Sequence, residues 1–302
     1  MRRGRKALAL IVGIVLALGV PVLVFFSRPP VLIVIDVPFS SLYGGTRRTL
    51  LRQVFASLVL FRQVKPVKIA EGAGPDVLVF AVEEAASRSL SRRPHCVLFP
   101  YRYSQAALRY REQFPGIPAI LLEGRADGGA ATAGDGLFIF RNDQERDMYR
   151  AGLCAAILNG GNRGKIVVFQ DRSIEDAGRN AFMEGLRQEG NRMEPLFLDG
   201  FYELSDFSDL SCVVLAGSGA EYFEQNLTHP VIFYTWLDPD LTSPEVVLVF
   251  DDSPWALAAP AVKMIAENRN EGRIPSDLLI LSARIADKDI LRRLKKAVQN
   301  SK

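Results

Sequence analysis

Apolar residues in this chain gather into short runs rich in β-branched side chains, bounded by turn residues and alternating with amphipathic stretches of helical length. Such runs predict strands and the stretches between them predict helices, so the chain reads as repeated βα units. Strands are predicted at Val31–Val37, Val64–Ala70, Asp76–Val82, Cys96–Tyr101, Ala119–Glu123 and Leu137–Phe140. Further along, they are predicted at Lys165–Gln170, Leu196–Leu198, Cys212–Ala216, Val231–Tyr234, Val246–Phe250 and Leu278–Leu281. Most are continuously apolar rather than alternating, as parallel strands covered on both faces should be. Helices are predicted near Arg47–Arg62, Glu83–Ser91, Ser104–Phe114, Gln144–Leu158, Glu175–Glu189, Ala220–Asn226, Trp255–Glu271 and Asp287–Gln299. Gly160-Gly161, Gly190 and Gly272 stand where helix carboxyl ends should stop.

So many strands exceed the need of one Rossmann-like unit, and the Gly/Ala-rich stretch Gly124–Gly136 breaks the first half. The expected fold class is α/β, with two doubly wound, Rossmann-like parallel-sheet lobes joined by a hinge and a cleft between them.

The amino terminus adds a further element. Arg2, Arg3, Arg5 and Lys6 precede an uncharged run from Ala7 to Phe26. At about 1.5 Å per residue, about twenty such residues span a bilayer core roughly 30 Å thick. Residues 1–6 therefore read as a cytoplasmic basic tail and 7–27 as one transmembrane helix. The cations before the run place the body outside the cytoplasm by the positive-inside bias. A cleaved signal peptide is the rival reading, with Ala17-Leu18-Gly19 as its small residues.

Composition narrows the function. The net charge of +3 includes those four terminal cations, so the body lacks the basic excess of a nucleic-acid binder. Three cysteines sit widely spaced inside apolar segments, which suits packing rather than a disulfide framework or a zinc cluster. With His95 and His229 the only histidines, neither a histidine triad nor a metal centre is expected, and no cofactor either. Gly217-Ser218-Gly219 is flanked by Ala216 and Ala220 where a nucleophile elbow wants glycines, and Tyr222 takes the place of a dinucleotide-binding glycine. No enzyme motif is recognised.

One stretch carries a resemblance. Asp143-Gln144-Glu145 opens a helix holding Gly152-Leu153-Cys154-Ala155-Ala156; Gly164-Lys165-Ile166 begins the next strand, and Phe182-Met183-Glu184-Gly185-Leu186 lies on the following helix. This order, from Asp143 to Gly190, resembles the type I periplasmic binding protein superfamily, and within it the basic-membrane-protein type of substrate-binding protein. The resemblance implies two discontinuous lobes that close on a small ligand, with three chain crossings near Gly136–Asn142, Asp238–Thr242 and Gly272–Ser276. Lobe 1 would comprise 31–140 plus 240–272, and lobe 2 would comprise 141–238 plus 274–302. Sugar-binding members carry an arginine shortly before the Phe-x-x-Gly position, where Ala177 and then Arg179 stand here. Basic-membrane-protein relatives carry a Ser and Lys pattern where this chain has Phe250-Asp251-Asp252-Ser253-Pro254-Trp255. The resemblance thus implies neither a sugar nor a nucleoside.

In open α/β sheets, ligands collect beyond the strand carboxyl ends, where loops meet helix amino termini. That rule nominates Phe39, Ser40 and Tyr43 after the first strand, and Asp171 and Arg172 after the Gly-Lys-Ile strand, where the guanidinium could clamp a carboxylate or phosphate. Tyr101, Arg141, Asn142, Ser218 and Trp236 end other strands; rings there could stack on a planar ligand while polar groups fix its hydroxyls. Asp251 is a candidate ligand contact, although Asp251-Asp252 before Pro254 also reads as helix capping.

The expected function is a membrane-anchored extracytoplasmic solute-binding protein, not an enzyme. It would close on a small polar or aromatic ligand for transport or sensing, with an ABC-type permease or a membrane sensor as partner, at the periplasmic face of the inner membrane. The alternatives are a non-ligand structural or interaction domain on the same scaffold and an α/β enzyme with an unrecognised site.

Overall fold

The computed structural model describes residues 19–36, 45–123, 133–160, 164–170, 174, 176–199, 209–216, 229–234 and 245–300. Its strands form two six-stranded sheets. In chain order they are β1 (Val31–Asp36), β2 (Val64–Ile69), β3 (Cys96–Pro100), β4 (Ala119–Glu123), β5 (Leu137–Asn142), β6 (Lys165–Gln170), β7 (Leu196–Asp199), β8 (Leu210–Leu215), β9 (Val231–Tyr234), β10 (Val246–Asp251), β11 (Glu271–Ile274) and β12 (Asp277–Ile280). The helices are α1 (Gly45–Leu60), α2 (Pro75–Ser87), α3 (Ser104–Gln113), α4 (Gln144–Asn159), α5 (Asp176–Gln188), α6 (Pro254–Ala266) and α7 (Lys288–Asn300).

The first sheet has the order β11-β5-β4-β3-β1-β2, and every pairing is parallel. β1 shows why its sequence is apolar throughout. Leu32 and Val34 face a core with Leu78 and Val82 of α2 and Ala107 and Tyr110 of α3. Val31, Ile33 and Ile35 face the opposite core with Ala56 of α1 and Trp255, Ala258 and Ala261 of α6. Alternate residues serve opposite faces, both covered, so no position can be polar until Asp36.

The second sheet has the order β12-β10-β9-β8-β6-β7, parallel except for β10 against β12. Its core is continuous, with Cys154 and Ile157 of α4, Phe182 and Leu186 of α5 and Leu294 of α7 packed on the strands. α4 and α5 touch through their glycines: a Cβ on Gly152 would stand 2.1 Å from the Phe182 carbonyl oxygen, and one on Gly185 would stand 2.1 Å from that of Tyr149. Cys96, Cys154 and Cys212 are free and buried, as packing requires. Burial pushes the Cys96 and Cys154 thiols up to about 12.

Three expectations are corrected. Asp76–Val82 is not a strand but lies within α2, because Pro75 presets the first helical turn and Leu78, Val79, Val82 and Ala86 are buried at helical spacing. Gly272 does not stop a helix; it lies in β11, a largely polar edge strand that was not predicted, and α6 ends earlier, with Asn268 in the left-handed region (φ 60). Gly160 and Gly190 do end helices, with φ of 59 and 78. The boundary expected near 240 is also displaced. β10 pairs with β9 and β12 in the second sheet, and the chain returns to the first only at α6. The reason is that Val246–Asp251 is buried along its whole length and needs strand partners on both sides.

The chain crosses between sheets after β5, after β10 and after β11. Each crossing leaves from a strand carboxyl end, so the carboxyl ends of the two sheets face each other. Among the described residues no helix is long and apolar enough to cross a membrane. The expected tail and residues 7–18 of the expected anchor lie outside the described residues; residues 19–27 are helical, with Val20, Leu23 and Phe26 exposed.

Candidate functional site

The facing strand ends carry a concentrated set of polar groups. Asp36 closes β1 with its side chain wholly buried, and its carboxylate takes a hydrogen bond from the Arg102 guanidinium at 2.9 Å and one from the Tyr103 hydroxyl at 2.6 Å. Tyr101–Tyr103 is a single 3-10 turn leaving β3, which swings both residues over the end of the neighbouring β1. Burial first, and then the bond to Asp36, pushes the Tyr103 hydroxyl up to about 12, so it stays a donor. Arg102 stays 42% exposed while seated on this buried carboxylate. Its guanidinium is held by charge-assisted bonds yet reaches the surface, an arrangement suited to a polar or anionic group.

On the second sheet, Gln170 closes β6, wholly buried, and accepts a bond from the Arg179 side chain at 3.2 Å. Arg179 also lies 5.7 Å from the Phe197 ring. At the crossings, Arg52 of α1 reaches across to the second sheet, 2.5 Å from Asp251 and 3.0 Å from Asp277. Asn142 donates to Asp252 at 3.3 Å. The Asp251 carboxylate accepts the Ser253 backbone N–H, and Ser253 in turn caps α6.

Behind them lies the third crossing. Asp147 of α4 accepts the Ser276 backbone N–H at 3.1 Å and the Ser276 hydroxyl at 2.5 Å. Arg150 donates to Asp147 at 3.2 Å and to the Ser276 carbonyl at 2.8 Å. All three residues are buried. Burial, working against the Ser276 bond and Arg150, raises the Asp147 pKa to about 6.

Of the residues nominated from sequence, four are described. Tyr101 and Arg141 lie at the carboxyl end of the first sheet. Asn142 and Asp251 are brought together at the crossings, where Asp251 is 2% exposed and engaged with Arg52 and Ser253. Phe39, Ser40, Tyr43, Asp171, Arg172, Ser218 and Trp236 lie outside the described residues, as does the helix expected at Ala220–Asn226. Sequence reasoning did not nominate Asp36, Gln170, Arg52 or Asp147. For Asp36 a signal existed: a carboxylate ending a fully apolar strand must be paired. Recesses of about 400 Å³ beside Tyr149 and Arg293, and about 480 Å³ beside Arg92 and Tyr110, are lined by none of these groups.

No protein-family profile matches the chain, and no curated protein does. Among solved structures it is similar to a transcriptional activator of the comK gene from Bacillus halodurans, at 12% identity, covering 90% of this chain and 97% of that one with a TM-score of 0.59. It is similar to an ABC transporter system solute-binding protein from Conexibacter woesei at 12% identity, 90% and 96% coverage and a TM-score of 0.58. It is also similar to AraP, an arabinose-binding protein from Geobacillus stearothermophilus, at 15% identity, 80% and 87% coverage and a TM-score of 0.52. At such identities the likeness concerns the fold, which is that of the type I periplasmic binding proteins.

Proposed function

We propose that this type I periplasmic-binding-protein fold serves as an extracytoplasmic solute-binding protein, held at the inner membrane by its amino-terminal apolar run. It closes its two lobes on a small polar or aromatic solute and hands it to an ABC-type permease or reports it to a membrane sensor. The observation that carries this reading is the partly exposed Arg102 guanidinium, seated on buried Asp36 at the end where both sheets present their strand carboxyl termini. A ligand touching both rims would favour the closed arrangement by its extra contacts, with no covalent step.

A thermal-shift screen of the detergent-solubilised full chain against sugars, nucleosides and amino acids tests it. A ligand at a hundred times its Kd stabilises the folded state by about 2.7 kcal/mol, a clear rise in Tm. A flat response to every class removes the proposal. One observation favours a second reading, an interaction domain without a solute: Arg52 already ties α1 to Asp251 and Asp277 across the lobes. Under that reading the screen stays flat and the inter-lobe tie holds one fixed arrangement.

A further inference from the structure

β1, β2 and β3 run parallel, so their amino ends share one end of the first lobe. The chain reaches that end from residues 19–27, whose Phe25 ring lies 5.8 Å from Phe61. α1 returns there too, because it leads into the start of β2. Around this end stand Arg28, Arg62, Arg92 and Arg93, with Arg28 5.2 Å from the Phe61 ring and Arg93 donating to the Gly116 carbonyl. Glu83 and Glu84 oppose them on α2, and Glu84 is paired with Arg88. Among these cations project apolar side chains: Leu58 is 66% exposed, Leu90 74% and Phe61 39%, and the strip continues up α1 through Phe55 and Leu51. Large apolar side chains standing together in water mark a covered surface.

We propose that this end of the first lobe docks on an anionic phospholipid bilayer, its arginines on the headgroups and Leu58, Phe61 and Leu90 in the interface. The inference rests on the anchor reading above. The apolar run Ala7–Phe26 ends at this surface, so the bilayer is the partner held within its reach. A second copy fits worse, since a two-fold contact would set the arginine cluster against itself. Basic residues beside apolar ones are the composition that binds anionic membrane surfaces. Docking would hold the strand carboxyl ends, and with them the Arg102 rim, facing away from the membrane.

The test uses the full chain in lipid nanodiscs with an environment-sensitive dye on Leu90→Cys or, separately, Leu58→Cys; the native cysteines are buried and do not compete. In phosphatidylglycerol discs both dyes should shift to the blue and be quenched by brominated lipid, while a dye on Arg292→Cys in the second lobe stays aqueous. The blue shift should be lost in phosphatidylcholine discs, at high salt, and in the Arg92→Glu/Arg93→Glu variant. Aqueous spectra at Leu90 and Leu58, or equal shifts in both lipids, overturn the proposal. So does oxidative cross-linking of Leu58→Cys into dimers, which would assign the face to a second copy. Release of the chain from membranes by alkaline carbonate refutes the anchor, whereas retention with an aqueous Leu90 dye refutes the docking alone.

Discussion

Replacing Asp147 tests whether the third crossing is held by a buried ionic cluster. In Asp147→Ala the Arg150 guanidinium, 4% exposed, loses its carboxylate and keeps the Ser276 carbonyl and the Phe250 ring, while the Ser276 N–H and hydroxyl lose their acceptor. Removing one partner of a buried ion pair costs about 3–5 kcal/mol. Asp147→Asn keeps the shape and part of the hydrogen bonding, and should cost about 1–3 kcal/mol at neutral pH. The double variant Asp147→Ala/Arg150→Met should recover much of the loss, because it removes the orphaned charge as well. Urea unfolding of the detergent-solubilised chain, followed by circular dichroism, measures all three. The same cluster sets a pH dependence. The Asp147 pKa is raised from 3.8 to about 6 in the folded state, so folding takes up a proton between those values. Its contribution to stability is therefore full below about pH 4 and is lost as pH rises through about 6. At about 1.4 kcal/mol per unit, the gap between the native chain and Asp147→Asn should move about 2–3 kcal/mol in the variant's favour from pH 4 to pH 7. An Asp147→Ala variant within about 1 kcal/mol of the native chain, or a gap independent of pH, would refute the reasoning.

Other perturbations read other parts of the fold. Gly152→Ala puts a methyl group against the Phe182 carbonyl oxygen; forcing α4 and α5 apart should cost about 1–3 kcal/mol or more in thermal unfolding, and a neutral result would show that the helices are not in close contact. Arg52→Ala strips the cation from Asp251, which is 2% exposed, and should destabilise by about 3–5 kcal/mol, whereas a surface pair would cost about 1 kcal/mol or less. The three native thiols, buried and in two cases raised to about 12, should resist a thiol reagent until the chain unfolds; labelling in the folded state would contradict their packing. Arg102→Ala should abolish any solute-induced rise in Tm while Arg102→Lys retains part of it, and an unchanged rise in Arg102→Ala would remove Arg102 from the site.

The amino-acid pattern by itself determined the αβ alternation and the parallel character of the strands. Each is local or comes from covering both faces of a strand: Val31–Asp36 can only be a central strand, whereas the contact of α4 with α5 through Gly152 and Gly185 emerges only in the packed structure. Where local signals conflicted, tertiary structure decided. The apolar run Asp76–Val82 suits a strand by composition, but Pro75 and the burial of one side make it a helix over the sheet. Polar Glu271–Ile274 becomes a strand only because β5 offers an edge, and β10 stays in the second sheet because β9 and β12 flank it there. The candidate site was legible as a place, the strand carboxyl ends, but not as a set of residues. Asp36 and Arg102, Arg52 and Asp251, and Asp147 and Ser276 are far apart in sequence, and each pair is enforced by the need to satisfy, by a cation or by hydrogen bonds, a carboxylate removed from water. Only the packed sheets decide which carboxylate is buried and which partner can reach it.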